Sequence, residues 1–354
     1  TTAKVDQIIQ EYEKKSANEQ QSTAKQYPNI ITVVNETFAD IKVLGDFKTN
    51  EDYMPYFHSL KKNCVTGYTY ASIVGGQTAN TEFELLTGNT LGFLSAGTTA
   101  FQLYIHGQMP SLVSNLKAEG YSGNKAMHPF NPYNYNRPAV YKDFGFTDFI
   151  DKFDFPKNVK RVREYISDEA NVDRIISEYE KNRKKTDQPF YMYNMTIQNH
   201  SPYDKDAANF KQPIKIESSK YDAEANRYLN LIKYSDDSLK QLTGYFEKCK
   251  EPTIILFLGD HQPRLTDEFM NKITNGQYQT WSSEQMMKRY QVPFVIWANY
   301  DIKEQHIEKT SMNYIQSILT KTAGVKIQRS HRRDIGERME NFIRLMIKDH
   351  HIMV

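Results

Sequence analysis

Four continuous apolar segments constrain the fold of this chain more than any other feature. They are NIITVV (29–34), PFYMYNM (189–195), TIILFL (253–258) and PFVIWA (293–298). Short apolar runs of this kind are typical of strands buried on both faces, as in a parallel sheet. Helical patterns lie between them, beginning at Met109, Asn171 and Glu224. The sequence therefore predicts an α/β fold with a mainly parallel central sheet flanked by helices.

The polarity of its two ends divides the chain into three parts. Residues 1–27 carry one apolar stripe at helical spacing, which predicts a short amphipathic helix followed by a linker. Residues 28–324 contain the predicted strands and helices, and we expect a smaller α+β part toward their C-terminal end. Residues 325–354 are polar with a helical pattern, which indicates a helical appendage.

Charge and cysteine content exclude several classes of protein. The 354 residues include 45 basic and 43 acidic side chains, for a formal net charge of +2. This balance argues against a nucleic-acid-binding protein, which normally carries a strongly basic face. Cys64 and Cys249 are too few for a disulfide framework and lack the spacing of a metal site. No apolar run reaches the roughly 18 residues of a membrane span. The sequence leaves open whether a membrane anchor precedes it in a longer protein.

Polar side chains follow three of the four apolar segments at the point where each one ends. The first segment continues into NETF, the second into QNHSPY and the third into GDHQP. Ligands of open α/β sheets bind outside the carboxyl ends of the strands. We therefore expect these polar groups to converge on one site.

Asp260 and His261 in GDHQP could offer a carboxylate oxygen and an imidazole nitrogen to a single metal ion. The alternative is a turn in which Asp260 caps a helix and His261 lies at the surface. Glu36 in NETF becomes a third ligand if its strand ends at the same edge of the sheet. Otherwise it is an N-cap or first-turn residue of the next helix.

The segment GGQTANTE (75–82) allows two interpretations of its first threonine. In the structural one, Thr78 or Thr81 caps the following helix, the glycines free the preceding turn, and Glu82 supports the helix. In the functional one, the Thr78 hydroxyl lies at the helix start beside a metal ion. A cation there would lower the pKa of the hydroxyl and make it a usable nucleophile.

Other polar residues are weaker candidates, since a single histidine is more often structural or exposed than catalytic. His128 lies in MHPF and His200 in QNHSPY. Arg137 could bind two phosphate oxygens through its guanidinium, or it could be an ordinary surface residue. Three neighbours of Arg137 are suited to binding hydroxyl groups: Asn134, Tyr135 and Asn136.

Together these motifs resemble the lipoteichoic acid synthase family, which belongs to the sulfatase and alkaline phosphatase superfamily. The matching motifs, in chain order, are NETF, GQTANTE, NHSPY and GDHQP. The resemblance covers residues 28–324 and implies that they form a catalytic domain with the fold of that superfamily. Their combination in this order is specific, whereas each motif alone is weak.

The resemblance also implies a role for each matching residue. Thr78 corresponds to the nucleophile that carries glycerol phosphate, and Arg137 and His200 complete the expected catalytic set. The implied metal ligands, for one Mn²⁺ ion with Mg²⁺ or Zn²⁺ as alternatives, are Glu36, Thr78, Asp260 and His261. The implied substrate-binding residues are His128, Asn134, Tyr135, Asn136, Arg137 and His200.

The implied activity is metal-dependent transfer of sn-glycerol-1-phosphate from phosphatidylglycerol, through a phosphothreonine, to a cell-surface glycopolymer such as a wall polysaccharide. The alternatives are a lipoteichoic acid synthase that polymerises glycerol phosphate, and a phosphodiesterase or other hydrolase of the superfamily. The implied setting is the extracellular face of a Gram-positive cell membrane, with a transmembrane part preceding the domain.

Two departures from the synthase pattern favour one branch of the family. Tyr135 stands where the synthases carry tryptophan, and Gln77 stands where a lysine precedes the nucleophile. The resemblance is greater to a branch that adds glycerol phosphate to a wall carbohydrate. A sulfatase would need cysteine or serine in place of Thr78. A phosphoethanolamine transferase would carry cysteine pairs and a second zinc site, neither of which is evident.

Overall fold

The computed structural model describes residues 27–217, 223–277 and 280–325. The strands are β1 (Asn29–Asn35), β2 (Cys64–Tyr70), β3 (Ser122–Met127), β4 (Asp148–Ile150), β5 (Arg161–Val162), β6 (Tyr165–Ile166), β7 (Phe190–Met195), β8 (Thr253–Gly259), β9 (Gln291–Ala298) and β10 (Gln305–Ser311). The helices are α1 (Pro55–Ser59), α2 (Thr78–Thr87), α3 (Ala100–Leu103), α4 (Leu112–Ala118), α5 (Arg137–Phe144), α6 (Asp168–Arg183), α7 (Ala223–Phe246), α8 (Asp267–Ile273), α9 (Ser283–Met287) and α10 (Met312–Thr322). Short 3-10 helices cover Ile41–Val43, Leu91–Phe93, Asn134–Asn136, Lys152–Asp154 and Lys288–Tyr290.

Eight strands form one sheet in the order β10-β2-β9-β8-β1-β7-β3-β4. Strand β1 lies at its centre and pairs in parallel with both β7 and β8. All seven residues of β1 and all seven of β8 are buried, as their apolar sequences predict. The expected α/β architecture with a mainly parallel central sheet is therefore confirmed.

Helices cover both faces of this sheet, because successive residues of each buried strand point to opposite sides. Ile30 contributes to a core that also contains residues of α2, α4, α5 and α10. Its neighbour Ile31 contributes to a second core, on the other face, with residues of α6, α7 and α8. The sheet is the middle layer of three, so residues at its strand ends are held between two packed layers.

The strand orientation differs from expectation at one place. The apolar segment at 293–298 forms β9, which runs antiparallel to both β8 and β2. The prediction of a parallel strand is wrong here, since an apolar run reports burial on both faces and carries no information on strand direction. The elements after residue 290 join the same sheet, so the expected smaller C-terminal part is, within the described residues, one edge of that sheet.

The predicted helices are confirmed where the structure describes them. The patterns beginning at Met109, Asn171 and Glu224 correspond to α4, α6 and α7. The predicted N-terminal helix within residues 1–27 and the appendage at 325–354 fall almost wholly outside the described residues. The domain boundaries therefore stay predictions.

The two cysteines do not form a disulfide: Cys64 is buried, Cys249 is partly buried, and both are free thiols. Within the three described stretches, no helix combines the length and the apolar character that a bilayer crossing requires.

Candidate active site

A cavity of about 320 Å³ lies at the carboxyl edge of the sheet. Glu36 follows β1, His128 follows β3, His200 follows β7 and His261 follows β8, so four strands deliver polar groups to it. The predicted convergence at this edge is present. The lining residues are Glu36, Gly75, Gly76, Gln77, Thr78, Gln102, His128, Phe130, Asn134, Tyr135, Arg137, Ile197, His200, Ser201 and His261.

Glu36, Asp260 and His261 form a buried cluster at the base of this cavity. Each offers one ligand atom, and these atoms all lie within 4.8 Å of one another. His261 Nε2 is 3.2 Å from Asp260 Oδ2 and 3.6 Å from Glu36 Oε1. Neighbouring parallel strands β1 and β8 explain this proximity, because Asn35 and Gly259 are paired in the sheet directly before the ligands.

The atoms of the cluster that remain unpaired fit a divalent cation. His261 Nδ1 lies 3.0 Å from the carbonyl of Gln262 and donates to it, which leaves a lone pair on Nε2. Asp260 Oδ1 accepts the backbone N–H groups of Thr37 and His261, whereas Oδ2 has no hydrogen-bond partner. Two carboxylates and one imidazole are suitable ligands for Mn²⁺, Mg²⁺ or Zn²⁺.

The electrostatics of the cluster also favour a cation. Burial raises the pKa of Asp260 to about 6, because a carboxylate without water or a counter-ion is costly. Burial disfavours a charged His261, but attraction to Asp260 and Glu36 outweighs it and raises the pKa of the imidazole. Two buried carboxylates at this spacing concentrate negative charge that a bound cation would offset.

Thr78 is the first residue of α2 and lines the cavity with only 7% of its surface exposed. The nearby Thr78 hydroxyl lowers the pKa of the Asp260 carboxyl against the larger effect of burial. Thr78 therefore lines the same cavity as Glu36 and His261 and lies near Asp260, which is the placement that the functional interpretation requires. Thr78 also stands at a helix N-terminus, where backbone N–H groups favour an anion such as phosphate.

The capping interpretation of Thr78 is wrong. Gln77 occupies the N-cap position with a left-handed backbone at φ 62°, and no side chain caps the helix. Gly75 and Gly76 precede it with φ of 69° and 147°, so the chain approaches the helix through conformations that favour glycine. Thr81 does not cap either: its hydroxyl donates to the carbonyl of Asp260 at 2.8 Å and ties α2 to the end of β8.

Arg137 is buried, with 2% of its side chain exposed, so it is not a surface residue. Its Nε and Nη2 donate to Glu82 Oε1 at 3.1 Å and 2.7 Å. That edge of the guanidinium is used within the protein, and Nη1 also donates to the carbonyl of Asn134 at 3.5 Å. One hydrogen on Nη1 and one on Nη2 are left for a ligand. Burial opposes the charge of Arg137, but Glu82 raises its pKa above the ordinary value.

Glu82 is the residue of this site whose role sequence reasoning missed. It is fully buried, and its Oε2 accepts hydrogen bonds from the hydroxyls of Tyr141 and Tyr193. The sequence interpretation gave Glu82 only a supporting role in α2. In the structure it also orients Arg137, from a position one helical turn after Thr78. The spacing Thr78 to Glu82 placed both side chains on one helix face, which is the signal that could have indicated it.

The two histidines of the cavity differ in environment. His128 is 2% exposed, and its Nδ1 lies 3.0 Å from the carbonyl of Met195, to which it donates. Burial and the charge of Arg137 lower the pKa of His128 well below the ordinary value, so its Nε2 is an acceptor. His200 is partly exposed, and its Nδ1 donates to the carbonyl of Ser201 at 2.7 Å.

Two of the three predicted hydroxyl-binding neighbours of Arg137 line the cavity. These are Asn134 and Tyr135, and the guanidinium carbon of Arg137 lies 5.1 Å from the centre of the Tyr135 ring. Asn136 is exposed and is not among the described residues that line the cavity, because its left-handed backbone begins α5 and turns the chain away. Phe130, which stacks against His200 with ring centres 6.2 Å apart, was not predicted.

Residues 28–325 match the sequence profile of the family described as Sulfatase. The chain belongs to the sulfatase family. The sequence relatives of this sulfatase-family chain include lipoteichoic acid synthase-like proteins, in agreement with the predicted resemblance. It is 27% identical over 240 residues to the lipoteichoic acid synthase-like protein YvgJ of Bacillus subtilis (strain 168), covering 66% of this chain and 36% of that protein.

A second relative is a Rhizobium meliloti (strain 1021) protein named for the modification of cyclic beta-1,2-glucan. The two are 32% identical over 311 residues, which cover 86% of this chain and 47% of the relative. The chain thus spans less than half the length of either curated relative. Among solved structures, the sulfatase-family fold resembles that of the Streptococcus pyogenes phosphoglycerol transferase GacH in complex with sn-glycerol-1-phosphate. The TM-score is 0.77 at 19% identity, covering 94% of this chain and 84% of the other.

Proposed function

We propose that this protein is a metal-dependent phosphotransferase that moves sn-glycerol-1-phosphate from phosphatidylglycerol to a cell-surface glycopolymer through a phosphothreonine at Thr78. The observation that carries the proposal is the Thr78 hydroxyl. It lies at a helix N-terminus, in the cavity that Glu36 and His261 also line, and it lowers the pKa of the nearby Asp260 carboxyl. The names of the relatives support the chemical class, since they include a lipoteichoic acid synthase-like protein and a structurally similar phosphoglycerol transferase.

Glu36, Asp260 and His261 would hold one divalent cation, which we propose to be Mn²⁺, with Thr78 as the fourth ligand. When bound, the cation lowers the pKa of the Thr78 hydroxyl and offsets negative charge on the phosphate. In the first half-reaction the Thr78 hydroxyl releases its proton to solvent, a bond forms between Thr78 Oγ and phosphorus, and the bond from phosphorus to the diacylglycerol oxygen breaks. Backbone N–H groups at the start of α2 favour the phosphate at this position.

Three side chains around the cavity would position the donor and complete proton transfer. The free hydrogens of Arg137 face the non-bridging phosphate oxygens and stabilise their charge. His128, whose Nε2 is an acceptor, receives a hydrogen bond from a glycerol hydroxyl. His200 is the imidazole in contact with solvent, so we assign to it the proton that the leaving diacylglycerol oxygen takes up.

In the second half-reaction an acceptor hydroxyl attacks the phosphothreonine and frees Thr78. We propose a saccharide hydroxyl of a wall polysaccharide, in line with the glucan-modifying relative and with Tyr135 and Gln77 as departures from the synthase pattern. Because the donor is a membrane lipid and the acceptor a surface polymer, the reaction belongs at the outer face of a bacterial cell membrane.

The experiment is mass spectrometry of the purified protein after incubation with phosphatidylglycerol and Mn²⁺. We expect one added glycerol phosphate, located on Thr78, and none in Thr78→Ala. Ser201→Ala is the matched control, because it removes another hydroxyl from the cavity wall and should leave the modification intact. Modification of a residue other than Thr78 would overturn the assignment of Thr78 as the nucleophile.

Metal analysis of the same samples tests the centre separately. Wild-type protein should retain about one Mn²⁺, whereas Asp260→Ala should lose it, since a missing ligand removes a direct metal bond. Addition of an oligosaccharide should then remove the glycerol phosphate from Thr78 and transfer it to the sugar. Release of free glycerol phosphate at the same rate with and without sugar would favour a hydrolase, and extension of a glycerol phosphate chain would favour a lipoteichoic acid synthase.

A further inference from the structure

A buried polar cluster lies behind the cavity, centred on the carboxylate of Asp168, and is called the Asp168 cluster below. None of its members is more than 1% exposed. They come from the end of β1, the start of α6, the loop after β7 and the middle of α7. The members are Asn35, Asp168, Gln198, Asn199 and Ser235.

The Asp168 carboxylate is the acceptor that joins these elements. Its Oδ2 accepts from Asn35 Nδ2 at 2.7 Å and from Ser235 Oγ at 2.6 Å. Its backbone N–H donates to Gln198 Oε1 at 3.0 Å. Asp168 is the first residue of α6, where the helix dipole favours a negative charge.

Asn199 closes the cluster from the other side. Its Nδ2 donates to Asn35 Oδ1 at 3.0 Å and to Ser235 Oγ at 2.8 Å. Its Oδ1 accepts from Gln198 Nε2 at 3.1 Å. Each amide is therefore fixed at both its oxygen and its nitrogen, and of the Asp168 carboxylate only Oδ2 accepts hydrogen bonds, while Oδ1 has no partner.

The cluster contacts both chain segments that deliver residues to the cavity from β1 and β7. Asn35 directly precedes Glu36, and Asn199 directly precedes His200. The Glu36 backbone N–H also donates to Thr196 Oγ1 at 3.0 Å, so the two segments are linked on a second side. Burial raises the pKa of Asp168 to about 6, and the hydrogen bonds from Ser235 and Asn35 lower it in part.

We propose that Asp168 is a positioning residue that fixes the loops after β1 and β7 relative to each other and thereby sets the placement of Glu36 and His200. The metal-binding consequence rests on the proposed function, whereas the fixing of the loops does not. Asp168 acts only through other residues, because it lines no part of the cavity. Partners of this kind, behind metal ligands, commonly change metal affinity without touching the metal.

The matched control is Asp236, which is equally buried and lies on α7 beside Ser235. Burial raises its pKa to about 6 as well. Its carboxylate accepts the backbone N–H groups of Tyr56 and Phe57 at 2.9 Å and 2.7 Å, at the start of α1. Asp168→Ala and Asp236→Ala thus each remove a carboxylate that is equally buried. The first carboxylate holds Asn35 and Ser235, whereas the second holds the start of α1.

The first measurement is amide hydrogen exchange of the metal-free proteins, which is independent of any activity. Asp168→Ala should accelerate exchange in segments 29–40 and 196–203 by about tenfold or more. Asn35 then loses its acceptor, and so does Ser235, whose hydroxyl holds Asn199 of the second segment. Asp236→Ala should accelerate exchange around residues 54–60 and leave those two segments unchanged. Unchanged exchange in both loops of Asp168→Ala would overturn the proposal.

The second measurement is calorimetric titration of each protein with Mn²⁺. Asp168→Ala should bind Mn²⁺ about 10- to 100-fold more weakly, while Asp236→Ala stays within about twofold of wild type. Asp168→Asn keeps one acceptor oxygen and should recover most of the affinity, which a charge effect alone would not permit. Equal weakening in the two alanine variants would mean general destabilisation and would contradict positioning.

Two further outcomes keep the proposals distinct. If wild-type protein does not bind Mn²⁺, the metal-dependent function fails, and the exchange experiment still decides the role of Asp168. If Asp168→Ala does not fold, Ser235→Ala removes one hydrogen bond to the same oxygen and should accelerate exchange in the same two segments, to a smaller extent. No acceleration there would overturn the proposal.

Discussion

The pair of Glu82 and Arg137 offers the sharpest test of how this site is held. Both side chains are buried, with 0% and 2% exposed, and Glu82 accepts hydrogen bonds from Arg137, Tyr141 and Tyr193. Glu82→Gln keeps the volume and one acceptor oxygen but removes the negative charge. The guanidinium of Arg137 is then left as a buried cation without the carboxylate that balances its charge.

The expected loss of stability follows from that geometry. Removing one partner of a buried ion pair costs about 3–5 kcal/mol, mostly because the other charge stays buried and unpaired. The amide oxygen of glutamine can still accept one hydrogen bond, so we expect the lower end, about 3 kcal/mol. Urea unfolding followed by circular dichroism in metal-free buffer measures this difference in the free energy of unfolding.

The control is Glu169→Gln, which removes the same charge from an exposed ion pair with Lys160, where 50% and 58% of the two side chains are exposed. Pairs of that kind contribute less than about 1 kcal/mol. A double-mutant cycle with Arg137→Met should show that the double variant is more stable than the sum of single losses predicts, by about 2 kcal/mol. Equal effects of Glu82→Gln and Glu169→Gln, or an additive cycle, would refute the reasoning.

Two further predictions concern stability. An ion pair with Asp40 at 3.7 Å and a hydrogen bond to Asp52 raise the pKa of His58 from 6.5 to about 9. The stabilisation from His58 is therefore complete below pH 6.5 and is lost as the pH rises through about 9. As the pH rises across this range, the urea midpoint should therefore fall more for wild type than for His58→Gln. Parallel curves of midpoint against pH would contradict a stabilising role of protonated His58. Gly259→Ala would place its Cβ 1.8 Å from the carbonyl oxygen of Phe38 and should cost at least about 1–3 kcal/mol. Gly244 lies in α7, and a Cβ added there would meet no atom within 4 Å. Gly244→Ala should therefore raise the free energy of unfolding by up to about 1 kcal/mol, measured by thermal unfolding. A loss of stability would contradict the open space at this position.

The strands and the metal-ligand cluster could be predicted because local patterns report them. Buried parallel strands leave continuous apolar runs, and polar residues directly after such runs mark the carboxyl edge of the sheet. Asp260 and His261 follow β8 without a gap, and Glu36 follows β1 in the same way. Strand order then brings the three together, since β1 and β8 are neighbours.

Contacts between distant segments could not be predicted in this way. Glu82 and Arg137 are 55 residues apart, and nothing local marks a carboxylate that pairs with a later arginine. Asp168 is separated from Asn35 by 133 residues, and a first-turn aspartate usually reports only a helix start. The antiparallel direction of β9 depends on chain connections, and the left-handed backbone at Gln77 and Asn136 depends on tertiary context.

The central position of β1 between β7 and β8 has a consequence for how the protein is made. Thr37 N–H reaches Asp260 Oδ1 across 223 residues of sequence, so the base of the cavity closes only after β8 has joined the sheet. Contacts of such long separation form late, because the intervening loop must first be closed. A chain still emerging from the ribosome, or a fragment that ends before β8, therefore lacks the complete cluster. The cluster of Glu36, Asp260 and His261 is therefore completed in one late event, after every strand from β1 to β8 has been synthesised.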